Sequence, residues 1–352
     1  MDPGLDRRAF LRGSSNLLLA ALLSETAACG SRPSALPAST QNAFDKHSTA
    51  EQVTLGLDLT GRTALVTGCN SGIGYETLRV LVLRGAHVLA LARTREKAAQ
   101  ACAGVLGPGI RGHATPFRCE QTDFDSVVAC SDAVRALNQP LDMLICNAGV
   151  NLQELQRVNG VEKNFVINHL SHFILVNRLL GRVKEAAQGR VVVVGSIAYR
   201  YAPAVGIEFD NLSGEKRPYA PTELYGQSKL ANGLFARELA RRLSGTAATA
   251  NVVHPGVVDT KMNRNWNANM PLYWRLYGRF LGLTYRMKTI PEGTATTCYV
   301  ASNPALRQVS GAYFEDCHIV VPGGHMQDDA LAARLWSVSE DLTRPYLLTN
   351  PS

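Results

Sequence analysis

Apolar residues along this chain follow two alternating patterns. Short continuous apolar or β-branched runs recur at 62–67, 86–91, 113–118, 141–145, 191–194 and 250–253. Between them lie segments whose apolar positions keep helical spacing. Leu78, Leu81 and Val82 follow the first run, and Val127, Val128 and Val134 follow the third, with Glu120 or Asp123 placed to cap that helix. A longer helical segment carries Asn164, Phe165, Asn168, His169, His172, Phe173 and Val176. Another runs through Leu230, Leu234, Phe235, Leu239 and Leu243, and a terminal one spans Leu331 to Leu342. Continuous apolar strands alternating with amphipathic helices predict an α/β fold: one Rossmann-type, doubly wound parallel sheet with helices on both faces.

The ends of the chain break this pattern. Arg7-Arg8-Ala9-Phe10-Leu11-Arg12 precedes the apolar run Leu17 to Leu23, and Thr26-Ala27-Ala28-Cys29 follows it. Twin arginines, a short weakly apolar stretch and a small-residue site resemble a twin-arginine export signal over residues 1–29. That predicts an exported or periplasmic protein, with a cytoplasmic one as the alternative. The run is far short of the ~20 residues needed to cross a bilayer. Residues 30–55 are rich in Ser, Pro, Ala and Thr and read as a disordered linker. One domain is expected over 56–345, and 346–352 as an irregular tail.

Composition changes the picture little. The chain has 352 residues, 46% of them hydrophobic, which supports a sizeable core. Its net charge of +7 is not gathered into basic runs, so it suits an anionic cofactor rather than nucleic acid. The eight cysteines show neither C-x-x-C pairs nor metal-ligand spacing, which argues against a disulfide framework or a zinc site.

The candidate chemistry begins at the first strand. Gly68-Cys69-Asn70-Ser71-Gly72-Ile73-Gly74 stands between that strand and the first helix, as a pyrophosphate-binding turn requires. Glycines admit the backbone to the phosphates, and a helix N-terminus offers unpaired N–H groups to the anion. About twenty residues on, where an acid would hold a ribose 2′-hydroxyl, stands Arg93, with Arg95 and Lys97 beyond. A guanidinium suits a 2′-phosphate, so NADP is expected over NAD. Asn147-Ala148-Gly149 opens from the fourth strand and lets backbone approach the cofactor. His169 and His172 share a helix face without a third ligand and read as structural. Tyr225 and Lys229, at i and i+4, share one face of their helix. An ammonium beside a phenol favours phenolate, which makes Tyr225 a candidate general acid/base.

Together, Thr67 to Gly74, Asn147 to Gly149, Asn168, Ser196, Tyr225-x-x-x-Lys229 and Pro255-Gly256 resemble the short-chain dehydrogenase/reductase family over residues 56 to about 345. Asn168 to Phe173 and Ser310 to Cys317 are similar to its retinol-dehydrogenase-like branch. The resemblance implies a sheet of seven strands. It implies that Tyr225 exchanges a proton with the alcohol or carbonyl oxygen and that Ser196 hydrogen-bonds that oxygen. It also implies that Lys229 holds the nicotinamide ribose and depresses the Tyr225 pKa, and that Asn168 maintains a proton path. Gly68, Asn70, Ser71, Gly72, Ile73, Gly74, Arg93, Asn147, Ala148, Gly149, Tyr225, Lys229, Pro255 and Gly256 would bind the cofactor. Cys146, Gly195 and Glu120 depart from the commoner Asn, Ser and adenine-side Asp.

A lid near 262–290 follows from the same resemblance and implies a small apolar alcohol or carbonyl substrate. Its aromatics and arginines at 270–281 equally suit a membrane surface, packing on the domain, or a homo-oligomer contact. Two other functions share these motifs: a catalytically silent NADP-binding sensor or scaffold, and light-dependent tetrapyrrole reduction by the same Tyr and Lys.

Overall fold

The computed structural model describes residues 42–260 and 287–347. The suspected signal, the 270–281 segment and residues 348–352 lie outside the described residues.

The six apolar runs form strands β1 (Thr63–Thr67), β2 (His87–Ala92), β3 (His113–Arg118), β4 (Met143–Cys146), β7 (Arg190–Val194) and β8 (Thr249–His254). β5 (Arg157–Val158) and β6 (Val161–Glu162) make a separate two-residue ribbon. With β9 (Tyr313–Glu315) and β10 (His318–Val320), the main sheet has eight strands among the described residues, in the order β10-β9-β8-β7-β4-β1-β2-β3. Seven of these pair in parallel. The eighth, β10, runs antiparallel to β9 and is the one beyond the expected count. Both strands have only three residues, and their turn needs positive φ at Asp316 and Cys317, so no periodicity announces them.

Helices cover both faces. On one side lie α2 (Gly72–Leu83), α3 (Arg95–Val105) and α7 (Ile290–Ser302). On the other lie α4 (Phe124–Ala136), α5 (Ser171–Glu185), α6 (Pro221–Arg242) and α8 (Asp329–Thr343). β1 and β7 are buried along their whole length, which is why they read as unbroken apolar runs. Asp123, not Glu120, caps α4, accepting from Ser126 N.

Two boundaries are corrected. Where composition predicts a disordered linker to residue 55, residues 42–55 are ordered. Thr49 and Gln52 close a capping box on α1 (Ala50–Val53), and α1 packs on α2 and α7. Asn42 Nδ2 donates to Tyr299 Oη and to the Cys317 carbonyl, each at 3.0 Å. Phe44 meets Tyr299 edge-on at 5.7 Å. At the other end, Tyr346 packs on Phe124, and its carbonyl accepts from Arg178 at 2.8 Å, so the tail begins later than 346.

Candidate active site

β1 and β4 are neighbours whose following segments leave in different directions, and a crevice opens beyond their carboxyl ends. A cavity of about 780 Å³ occupies it. Gly68, Asn70, Ser71, Gly72, Ile73, Arg93, Asn147, Ala148, Gly149, Ser196, Tyr225, Lys229, Pro255 and Gly256 all line this one space. Gly74 and Asn168 stand behind the wall, both buried.

At one end the glycine turn leads into α2. Gly68 and Gly72 have φ of +66° and +56°. A Cβ on Gly74 would fall 2.2 Å from the Gly68 carbonyl oxygen, so the first helical turn closes on the strand only with glycine there. Ser71 is the N-cap of α2 but makes no side-chain cap bond, which leaves its hydroxyl and the α2 N-terminus facing the cavity. A Cβ on Gly149 would sit 3.0 Å from Asn168 Oδ1 and 3.5 Å from Lys229 Nζ. These close approaches make a cradle that fits a dinucleotide lying along the crevice. Arg93, one residue past β2, is exposed on the cavity and forms no ion pair among the described residues.

Thr67, which opens the glycine motif but has no role assigned from sequence, fixes the middle of the cradle. Its Oγ1 accepts from Asn147 N at 2.9 Å and Ala148 N at 3.0 Å and donates to His172 Nε2 at 2.9 Å. His172 in turn donates from Nδ1 to the Asn168 carbonyl and accepts from Gln121. Burial pushes the His172 imidazole down to about 4 and keeps it neutral in this network. His169 is likewise buried and pushed down to about 3, bonded to Ser339 and edge-on to Phe165. Both histidines are buried in hydrogen-bonded positions.

At the other end α6 brings up Tyr225 and Lys229, and the β7 terminus brings up Ser196. Pro at the first helical position starts α6, and Gly226 lets it approach the loop after Ser196, where a Cβ would lie 2.7 Å from the Ala198 carbonyl. Tyr225 is half-buried, open to the cavity and walled by protein elsewhere. Burial pushes its phenol up to about 12, while a hydrogen bond with Ser196 draws it down. Lys229 follows one helical turn later on the same helix. Its Nζ donates to the Val194 carbonyl at 3.1 Å and stands 5.8 Å from the Tyr225 ring centre. Burial lowers Lys229 itself to about 8.

The wall between the two ends is held through its backbone. Asn168 lies in a π turn (Val166–Leu170); its Oδ1 accepts from Val150 N at 2.8 Å and its Nδ2 donates to Val150 O at 3.0 Å. The same Nδ2 also donates to Ser228 Oγ at 2.9 Å. Four residues earlier, Asn164 Oδ1 accepts from Leu152 N, and Tyr219 Oη donates to Leu152 O. No pattern in the sequence announces these clamps, because each joins residues far apart along the chain. Glu120, also on the cavity, accepts from Thr122 N and Oγ1.

A family model described as short chain dehydrogenase matches residues 62–209. The chloroplastic short-chain dehydrogenase TIC 32 B of Brassica napus is 39% identical over 85% of this chain and 94% of its own length. The chain belongs to the short-chain dehydrogenase family. Retinol dehydrogenase 14 of Mus musculus is 38% identical, over 80% of this chain and 85% of its own, so retinol-dehydrogenase-like members are among the relatives. The solved Pseudomonas aeruginosa RhlG/NADP active-site complex is 28% identical, with a TM-score of 0.57, over 73% of this chain and 95% of that one. This short-chain dehydrogenase is therefore an oxidoreductase, of a fold that binds NAD or NADP.

Proposed function

We propose that the protein interconverts an alcohol and a carbonyl on a small apolar substrate, using NADP(H), with Tyr225 as general acid/base. The observation that carries this reading is the meeting of Ser196, Tyr225 and Lys229 in the same cavity as the glycine turn. When bound, the nicotinamide supplies or accepts the hydride. In the reducing direction Tyr225 Oη gives its proton to the substrate oxygen, and in the oxidising direction it takes one back. A phenol held above its ordinary pKa keeps that proton at neutral pH, which suits it to the donor's part. Ser196 hydrogen-bonds Tyr225 and would orient the same oxygen. Lys229, anchored on Val194 O, faces the cleft beside Gly149, where a ribose hydroxyl would reach it. Asn168 acts through Val150 as a positioning residue. Val150, Leu152, Ile167 and Ile290 give the cavity apolar lining, which supports an apolar substrate. Arg93 supports NADP over NAD through the 2′-phosphate.

Tyr225→Phe tests the mechanism. Loss of the proton donor should lower kcat by ~10²–10⁴-fold on a carbonyl identified by NADPH consumption. NADPH affinity should hardly change, since no phosphate contact is removed. A variant with wild-type kcat would show that another group moves the proton.

We further infer that residues 1–29 direct export through a folded-protein route. The support is Arg7-Arg8-Ala9-Phe10-Leu11 ahead of a short apolar run.

A further inference from the structure

His254 closes β8 and precedes Pro255 and Gly256, yet it does not line the cavity. It is 3% exposed. β7 and β8 pair in parallel up to Val194 and Val253, and Gly195 N still donates to the Val253 carbonyl at 2.8 Å. Beyond that point the ladder cannot continue, because Pro255 has no N–H to return. Two backbone donors are left at the break. One is Ile197 N, the first N–H of the 3₁₀ turn that Ser196 caps, an orphan by position. The other is Gly256 N, in a residue at φ +83°. Both donate to the same atom, His254 Nδ1, each at 3.3 Å.

The imidazole thus spans the gap that proline opens between two strand ends. One end carries Ser196, and the other carries Pro255 and Gly256 on the cleft. Because Nδ1 accepts, its proton must sit on Nε2, which faces Glu315 Oε1 at 4.0 Å.

We propose that His254 is a positioning residue: as a neutral, Nε2-protonated ring it latches the Ser196 loop to Pro255–Gly256, and protonation releases both. This rests on the reading that Ser196 and Tyr225 handle the proton.

Burial lowers the His254 pKa to about 4, and Lys288, Lys229 and Arg200 push the same way against Asp316. Glu315 from β9 also faces the ring, its own carboxyl raised by burial. The folded value lies below the ordinary 6.5. The latch is therefore intact above that value and lost as pH falls through about 4.

Three proteins test it: wild type, His254→Asn and His254→Leu. Asparagine places Oδ1 near the position of Nδ1, accepts both N–H groups and does not titrate; leucine fills the volume and accepts nothing. At neutral pH, His254→Leu should lose about ten- to a hundred-fold in kcat/KM, carried in kcat, since two N–H groups lose their acceptor. His254→Asn should stay within about three-fold of wild type on the same basis. The acid limb of the kcat/KM profile near pH 4 to 5, by the wild-type shift, should be absent in His254→Asn. Amide exchange at Ile197 and Gly256 should be fast in His254→Leu and protected in the other two. That readout needs no turnover. Tyr225→Phe, run alongside, reports separately on the proton-transfer reading. Equal impairment of Asn and Leu, an unchanged acid limb in His254→Asn, or protected exchange in His254→Leu would each overturn the latch.

Discussion

Arg93 is a guanidinium with no ionic partner among the described residues, held at the cleft by the end of β2. A charge-assisted contact with a 2′-phosphate is worth roughly 1.5–3 kcal/mol, or about ten- to a hundred-fold in affinity. Arg93→Ala should therefore weaken NADPH by that factor and leave NADH nearly unchanged in paired titrations. Equal wild-type affinity for the two cofactors would remove Arg93 from this role. At this scale the sequence was legible where chemistry and spacing coincide: Tyr225 and Lys229 at i and i+4, and the glycines flanked by strand and helix. It was not legible where a side chain answers a distant backbone group. The partner of Lys229 is the Val194 carbonyl, thirty-five residues away. Thr67 looks like an ordinary strand residue until Asn147 and Ala148 are folded against it.

Elements were legible in proportion to their burial and length. Five of the six longer strands announced themselves as apolar runs because parallel pairing buries both faces, while β3, at the sheet edge, is only part-buried. The β9–β10 hairpin is too short to show a period, and its tight turn uses non-glycine residues at positive φ. The segment at 42–55 reads as a linker because it docks by a few scattered residues, the Asn42 amide and the buried Ala50 and Val53, too few to make a helical stripe. Phe44 is half-buried against Tyr299 and adds an apolar contact. Phe44→Ala should cost about 1–2 kcal/mol, from the apolar area returned to water. Thermal unfolding would show the loss, and proteolysis should open the chain ahead of Gly56. Unchanged stability would mean that residues 42–55 rest on the fold without contributing to it.

For the whole molecule, the proposed leader and the folded domain pose one question of order. A nucleotide cofactor is available inside the cell, and a ligand that binds only the native state stabilises it by mass action. An exported oxidoreductase of this kind would leave folded, with its cofactor already bound. Cells expressing the wild type and an Arg7→Lys/Arg8→Lys double variant should differ on fractionation. The wild type should appear outside the cytoplasm without its leader, and the variant should stay inside at full length. Full-length protein in the cytoplasm in both cases would make the first residues an inert extension.

Val150 and Leu152 lie along the cleft like a strand with no neighbouring strand. Asn168 takes both backbone groups of the first, and Asn164 and Tyr219 take those of the second. These hydrogen bonds go to peptide groups, which every residue carries, so this part of the support does not depend on the side chains. Two residues lining the cleft can then be exchanged for larger, smaller or more polar ones with these bonds kept. In such an arrangement preference for one substrate over another becomes an inherited variable, free to drift or be selected without a toll on folding.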